Sequence, residues 1–234
     1  MLATVYDAIM DDIDYEAWAD FILETVTARG WEGGRLLELG CGTGNATHPF
    51  EVRGFEVVGM DSSAEMLAVA RAKLPEVRFV QADFTTFELD ETFSLVYSVF
   101  DSLNNLLTKE VFSSMAASVY GGLEPGGFFV FDVNTTEGLR DLERSGLTEG
   151  WAGEVYYRWE HSFDEQTGLG KVEAYCEDPE TSFTEVHFER PYDAAELDEL
   201  LTQAGFVNIE TLSYPEGEAP SEDEVRLWVV AQKP

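Results

Sequence analysis

The 234-residue sequence predicts an α/β protein with a doubly wound sheet of seven mostly parallel strands. From residue 35 onward, short β-branched runs alternate with helical segments, as in parallel strands joined by helices that cover both faces of a sheet. Between about residues 151 and 190, aromatic and β-branched runs of period two predict an antiparallel insertion instead. The length suits one domain, so residues 1–234 are expected to form a single unit.

The frame is predicted element by element from hydrophobic periodicity. Its parallel strands are "RLLEL", "FEVVGMD", "VRFVQAD", "FSLVYSVFD" and "GGFFVFDVN". The helical segments between them are "NATHPFEVR", "SAEMLAVARAKL" and "KEVFSSMAASVYGGL". A last helix, "DAAELDELLTQAGF", precedes "VNIETLSY" and "VRLWVVAQK", and a polar loop joins these two runs into a predicted hairpin at one sheet edge.

The insertion is predicted as a meander of three strands. They are "EVYYRWEHSFDE", "GLGKVEAYCED" and "SFTEVHFER", joined by the turn signals "EQTG" and "DPET". Strict alternation places Tyr157 and Trp159 on one face of the first strand, and Tyr156 and Arg158 on the other.

Charge is the extreme feature of the composition. Asp and Glu number 46 against 14 Lys and Arg, which gives a formal net charge of −32. Such a surface repels phosphate backbones, so a nucleic-acid partner is not expected. The acidic residues are spread along the chain, which favours an adaptation to high salt; an ordinary acidic protein is the alternative.

The sequence shows no membrane or metal signal. No apolar run reaches the length of a membrane span, and the N-terminus is acidic where a signal peptide would be basic, so a cytoplasmic protein is expected. Cys41 and Cys176 stand far apart without metal-ligand spacing, and both are expected to be reduced. We expect no bound metal.

Three glycines, Gly40, Gly42 and Gly44, follow the first predicted strand in "LLELGCGTGNAT" and indicate a close approach of the backbone to a nucleotide. A nicotinamide or flavin fingerprint would require glycine at position 45, where the chain has Asn45. Asp61 ends the next strand and is suited to accept hydrogen bonds from ribose hydroxyls, or to cap the helix that follows. By itself, this pattern fits either class of nucleotide.

Four motifs in order, "LLELGCGTGN", "VVGMDSSAEML", "FVQADFTTF" and "GGLEPGGFFVFDV", resemble those of the class I S-adenosylmethionine-dependent methyltransferases. The resemblance implies a Rossmann-like fold and S-adenosyl-L-methionine as cofactor. It implies cofactor contacts from the glycine loop, from the end of the second strand and from the end of the third, namely Glu38, Gly40, Cys41, Gly42, Gly44, Asp61, Ser62, Met66, Asp83 and Phe84. Core packing is the alternative for Met66 and Phe84.

The stretches "YDAIMDDIDYEAWADF", "VFDSLNNLL" and "VYYRWEHSFDE" resemble a narrower group, small bacterial methyltransferases related to glycine-type and aminosugar N-methyltransferases. This resemblance implies an N-terminal helix over about residues 1–30 that closes over the cofactor, with Tyr6 and Trp18 at its methionine end. It also implies that the insertion covers the acceptor pocket and the active site.

Catalytic candidates follow the fourth strand, in "YSVFDSLNNLL". Asp101 and Asn104 are expected at the carboxyl edge of the sheet, where Asp101 acts as a base or binds a substrate ammonium; a loop aspartate that caps the next turn is the alternative. Tyr157, Trp159 and His161 are acceptor-site candidates from the insertion, and packing of the insertion on the sheet is the alternative there.

The sequence thus predicts a methyltransferase that transfers a methyl group to a small-molecule acceptor, at nitrogen, as a monomer or homodimer. Two alternatives remain at this point. One is an NAD-dependent oxidoreductase, against which Asn45 and the "LEPGG" turn argue, and the other is a non-catalytic protein that binds the cofactor.

Overall fold

A computed structural model describes residues 2–234. It contains a seven-stranded sheet with the strand order β10-β11-β5-β4-β1-β2-β3. Five neighbouring strands are parallel, and β11 is antiparallel to both of its neighbours. The strands are β1 (Leu36–Leu39), β2 (Val57–Asp61), β3 (Arg78–Gln81), β4 (Phe93–Ser98), β5 (Leu123–Asn134), β10 (Val207–Leu212) and β11 (Arg226–Gln232). The predicted fold class is confirmed, and the closing hairpin has β10 at the edge and β11 inside the sheet.

Helices cover both faces of this sheet. They are α1 (Leu2–Ile9), α2 (Tyr15–Thr27), α3 (His48–Val52), α4 (Ala64–Lys73), α5 (Lys109–Gly122), α6 (Thr136–Ser145) and α7 (Ala194–Ala204). Side chains of α5 and α7 pack in a core on one face, and side chains of α2 and α3 pack in a core on the other. Successive side chains of β1 point to opposite faces of the sheet, so Leu37 packs in the first core and Leu36 packs in the second.

The N-terminal segment differs from its prediction. Instead of one helix over about residues 1–30, of which residue 1 lies outside the described part, the structure has α1 and α2. Asp14 divides them, because its side chain accepts a hydrogen bond from the backbone N–H of Ala17 and caps the start of α2.

The insertion has one strand more than predicted. It is an antiparallel sheet in the order β6-β7-β8-β9, formed by β6 (Leu147–Ala152), β7 (Val155–Asp164), β8 (Leu169–Glu177) and β9 (Ser182–Glu189). The edge strand β6 escaped prediction because it has no apolar face: Leu147 and Trp151 are 49% and 70% exposed. Its backbone pairing with β7 determines its structure. Helix α6, capped by Thr135, was also not predicted.

The parallel strands bring their carboxyl ends to one edge, beside the insertion. Helix α1 packs against α4 of the frame and against β6, so it bridges the frame and the insertion. Within residues 2–234, none of the helices combines the length and apolar character needed to cross a membrane.

Candidate active site

The glycine loop follows β1, and its backbone requires glycine. Gly40, Gly42 and Gly44 have φ values of +71°, +52° and +80°, a region that L side chains rarely adopt. At Gly42 an added Cβ would meet nothing within 4 Å, whereas at Gly40 it would lie 3.0 Å from the Ser102 Oγ. The loop therefore presents bare backbone to open space and touches the segment that follows β4.

Asp61, at the end of β2, binds this loop. One carboxylate oxygen accepts from the backbone N–H of Gly42 at 2.8 Å, and the other accepts from that of Ser63 at 2.8 Å. The side chain of Ser63, not Asp61, caps α4, by accepting from Met66 N–H. Each carboxylate oxygen keeps a further lone pair, so Asp61 remains able to accept from two hydroxyls.

Two predicted cofactor residues direct their side chains into the protein. Glu38 is only 2% exposed and accepts from Thr47 Oγ1 at 2.5 Å and from Tyr97 OH at 3.0 Å. Burial raises the pKa of Glu38 to about 7. Cys41 packs with Leu67 in the core under α4, and burial raises the pKa of its thiol. A contact from Cys41 to a ligand would thus use its backbone.

Four further candidates follow β2 and β3 in the chain. Asp83 is exposed, and one of its oxygens accepts two hydrogen bonds from Thr85, which lower its pKa. The ring of Phe84 lies 3.7 Å from an ideal Cβ at Gly40. Met66 packs beneath α1 rather than in the main core. Ser62 is exposed, and its carbonyl accepts from Gln81.

Helix α1 covers this region and is attached to the loop by one side chain. The carboxylate of Asp7 accepts from Thr43 Oγ1 at 2.5 Å and pairs with Lys73 Nζ at 2.6 Å. Tyr6, on the same helix, lies near both Asp61 and Asp101, and burial together with these charges raises its pKa well above the usual value. Its ring contacts Trp159 of the insertion edge-to-face, with the centroids 6.4 Å apart.

Trp18 of α2 reaches the segment after β4. Its ring centroid is 5.9 Å from those of Phe100 and Trp228. Phe100 and Asp101 have φ values of +61° and +48°, so two successive non-glycine residues adopt the left-handed region at the strand end. Such strain costs about 1–3 kcal/mol per residue and is concentrated at functional sites.

Asp101 is held by contacts from two other strands. Its backbone N–H donates to Asp132 of β5 at 3.1 Å, and one side-chain oxygen accepts from Asn134 Nδ2 at 2.7 Å. Its other oxygen lies 3.6 Å from Arg226 of β11, which also forms a short ion pair with Asp132. The strained segment is therefore fixed by a network of charged and amide groups.

Asp132 is fully buried in this network. Burial raises its pKa to about 6, against the opposing effect of Arg226. Its Oδ1 is buried without a hydrogen-bond partner among the described residues.

Asn104 does not present its amide to a ligand. Its Nδ2 donates to the carbonyls of Asn134 and Arg190 at 3.0 and 2.8 Å, and its Oδ1 accepts from Asn134 N–H at 2.9 Å. Asn104 is completely buried and joins the β4 segment to β5 and to the end of the insertion.

The inner face of the insertion carries its three predicted residues together. Tyr157, Trp159 and His161 alternate along β7, and the first two pack in a cluster with Val5 of α1. The Nε1 of Trp159 is buried without a partner among the described residues. Burial lowers the pKa of His161, while nearby Asp101 opposes the shift.

Glu189 ends β9 at the same place and was not a sequence candidate. It is 9% exposed, and burial and Asp101 raise its pKa to about 8, while Arg226 opposes them. Asp132 and Arg226 were missed as well. An aspartate within the apolar run "FFVFDV" was a signal for Asp132, whereas nothing local marks Glu189 or Arg226. Over residues 2–234, no three His, Cys, Asp or Glu side chains are grouped to hold a metal ion.

Comparisons with known proteins show similarity in both sequence and fold. A sequence profile of the family described as "Methyltransferase domain" matches residues 36–127. A Geobacillus sp. (strain WCH70) protein assigned by name to the methyltransferases is 30% identical over 97% of this chain and 96% of its own. A dTDP-3-amino-3,4,6-trideoxy-alpha-D-glucopyranose N,N-dimethyltransferase of Streptomyces venezuelae is 37% identical over 51% of this chain and 50% of its own.

A solved structure extends the likeness to the whole fold. The S-adenosylmethionine-dependent methyltransferase of Clostridium acetobutylicum ATCC 824 superposes with a TM-score of 0.82 at 25% identity. The superposition covers 99% of this chain and 97% of that one.

Proposed function

The chain belongs to the S-adenosylmethionine-dependent methyltransferases, and from this premise we propose that it methylates the nitrogen of a small-molecule amine at the edge where β4 and β5 end. Membership in this family overturns the alternative of an NAD-dependent oxidoreductase. The observation that carries the proposal is the excess of carboxyl groups at that edge, where Asp101, Asp132 and Glu189 surround the single guanidinium of Arg226.

The residues present fit the cofactor. The glycine loop offers a bare backbone cradle at Gly42, and Asp61 retains lone pairs for ribose hydroxyls. S-adenosylmethionine supplies a methyl group on a positively charged sulfonium, which carboxylates and aromatic faces stabilise. The aromatic ring of Tyr6 lies near the carboxylates of Asp61 and Asp101, so both kinds of group are present there. Of the other candidates, we assign Gly40 and Gly44 to the cradle, Asp83 and Phe84 to the adenine side, and Trp18 to the methionine end.

Cofactor and acceptor regions are in direct contact, which methyl transfer requires. Ser102 follows Asp101 and lies against Gly40 of the cofactor loop, while Tyr6 faces carboxylates of both regions. Positioning of this kind supplies roughly 7–11 kcal/mol of barrier reduction in well-oriented reactions. Helix α1, held by Asp7, excludes water above the junction.

We assign the acceptor side as follows. The carboxylate of Asp101, held in place by Asn134, orients the amine through hydrogen bonds. Asn104 acts as a positioning residue, because its amide fixes the backbone that carries Asp101. Tyr157, Trp159 and His161 form the wall from the insertion. The partly covered relative from Streptomyces venezuelae acts, by its name, on an amino sugar nitrogen, which supports nitrogen as the methylated atom.

The wider properties follow from charge and architecture. With a net charge of −32, a cationic acceptor is attracted and nucleic acid is repelled, and we expect the protein to work in the cytoplasm as one domain, monomeric or homodimeric.

Matched acceptors test the function. Purified protein with S-adenosylmethionine is incubated with two matched pairs of acceptors. In the first pair, 3-amino-3-deoxy-D-glucose is compared with D-glucose. In the second, the dTDP-amino sugar that the relative's name gives is compared with dTDP-glucose. S-adenosylhomocysteine release and the mass-spectrometric position of the methyl group are measured. We expect N-methylation of an amino compound, no methylation of its hydroxyl counterpart, and at least a tenfold fall in kcat/KM for Asp101→Asn but not for the exposed control Asp90→Asn. Methylation at oxygen, or no turnover of either amine, would contradict the proposal.

A further inference from the structure

Glu189 is a largely buried carboxyl group with no side-chain hydrogen-bond partner among the residues that the structure describes. It is the last residue of β9 and is 9% exposed. Among residues 2–234, its pKa responds to burial, to Asp101 and to Arg226, with no hydrogen bond contributing. The side-chain oxygens of Glu189 are not among the fully enclosed, unpartnered polar atoms of the described residues, so the carboxyl group still opens onto space that a ligand group can reach.

Its neighbours place Glu189 at the acceptor side of the junction. Opposite it on β8 is Gly170, and an added Cβ there would lie 3.6 Å from the Glu189 Cβ. Glu189 packs beside His161 of β7, Lys171 of β8 and Leu139 of α6 in a crevice too narrow to hold a water molecule. Asp101 and Arg226 face it from the frame, and Lys171 is paired with Glu173 at 2.8 Å.

Arg226, the cation that opposes the rise in the pKa of Glu189, is already engaged. Arg226 forms its ion pair with Asp132 and lies 3.6 Å from an oxygen of Asp101. No ion pair within 4.0 Å joins Arg226 to Glu189 among the described residues. A ligand cation would therefore find Glu189 without a competing partner.

We propose that Glu189 is the base that removes a proton from the ammonium group of the methyl acceptor, an inference that rests on the proposed function. An N–H bond of the ammonium breaks, and its electron pair stays on nitrogen as the lone pair that methyl transfer uses. The proton forms an O–H bond with the Glu189 carboxylate, and it passes to water when the methylated product leaves.

The neighbouring groups suit this task less well. Both oxygens of Asp101 are engaged, one by Asn134 and one by Arg226, and Asp132 is fully buried. The lowered pKa of His161 makes it a weak base. Burial and the nearby Asp101 raise the pKa of Glu189, so its carboxylate is a stronger proton acceptor than an exposed carboxylate.

The test compares pH profiles of kcat/KM for the wild type and Glu189→Gln, with 3-amino-3-deoxy-D-glucose as the acceptor. Glu189→Asp keeps a carboxyl group. Glu185→Gln makes the same change on the same strand at a residue that pairs with exposed His187. We expect Glu189→Gln to lose about a hundredfold at pH 7. The deficit should shrink to less than about fivefold at pH 9.5, above the pKa of the amino sugar, because the amine then arrives neutral.

The outcomes separate the two proposals. If the wild type methylates no amine, the proposed function and the role of Glu189 fail together. If the wild type turns over but the deficit of Glu189→Gln is the same at every pH, Glu189 is structural and only its role as base is wrong. Should Glu189→Gln not fold, Glu189→Asp serves in its place: a profile shifted along the pH axis supports the base, and an unshifted one contradicts it. We expect Glu185→Gln to match the wild type.

Discussion

The two halves of the site are built in opposite ways. The proposed cofactor half consists of the glycine loop, Asp61 and residues 83–84, which lie at or just after the ends of β1, β2 and β3 within about fifty residues of chain. The acceptor half consists of Asp101, Asp132, Glu189 and Arg226, which come from four separate segments that span more than half of the chain. The first half works through backbone geometry, whereas the second works through buried charge.

Because of this difference, substitutions in the two halves should affect different properties of the protein. Asp61 accepts from backbone N–H groups beside open space, and its loss leaves the core intact. In the proposed acceptor half, Asp132 is completely buried, and Arg226 is its counter-ion among the described residues. We therefore expect damage to the acceptor half to appear mainly in stability, and damage to the cofactor half mainly in ligand affinity.

Arg226→Gln should give the largest effect of the variants considered, as a loss in the free energy of unfolding. It leaves buried Asp132 without its counter-ion, and breaking a buried pair costs about 3–5 kcal/mol. We expect the lower end of this range because a quarter of the Arg226 side chain (26%) is exposed. Urea unfolding should show the loss, while S-adenosylhomocysteine affinity, measured by calorimetry on the folded protein, should change by less than about threefold, since the contacts of Asp61 remain.

Arg226→Lys and the double variant Asp132→Leu with Arg226→Met are the controls. The lysine keeps the charge, and the double variant removes both members of the pair, so each should be more stable than Arg226→Gln. If all three unfold at the same urea concentration, the ion pair is not what stabilises this half.

Asp61→Ala should lower the affinity for S-adenosylhomocysteine and leave the stability of the fold largely unchanged. The substitution removes the acceptor for two N–H groups that shape the loop, together with the proposed ribose contact. Hydrogen bonds to charged groups contribute about 1.5–3 kcal/mol each, so affinity for S-adenosylhomocysteine should fall by at least about a hundredfold. Asp90→Ala, which removes an exposed carboxylate outside the proposed site, should bind within about twofold of wild type. Unchanged affinity of Asp61→Ala would remove Asp61 from the cofactor half.

Sequence reasoning predicted the two halves unequally, for the same physical reason. The frame and the glycine loop depend on short-range periodicity and on positive φ values, which glycines mark in the sequence. Glu189 and Arg226 come near each other only through long-range packing, and no spacing along the chain encodes that proximity. Asn104 shows the remaining difficulty, because its place at the strand edge was predictable while the use of its amide by the backbone was not. The edge strand β6, likewise, is defined by its partner rather than by its own pattern.

Helix α1 joins the two halves, and Asp7→Asn should give the smallest of these effects. Asp7 and Lys73 are 41% and 30% exposed, and an exposed pair contributes about 0.2–1 kcal/mol. We expect the dissociation rate of S-adenosylhomocysteine to rise by up to about fivefold in dilute buffer, measured by stopped flow, because α1 opens more readily. The difference from wild type should fade in molar potassium chloride, which screens the pair. Asp11→Asn removes the same charge from the exposed turn after α1 and should leave the rate unchanged. If both variants accelerate dissociation equally, the acidic surface as a whole controls the opening of α1, and the contact of Asp7 with Thr43 and Lys73 does not.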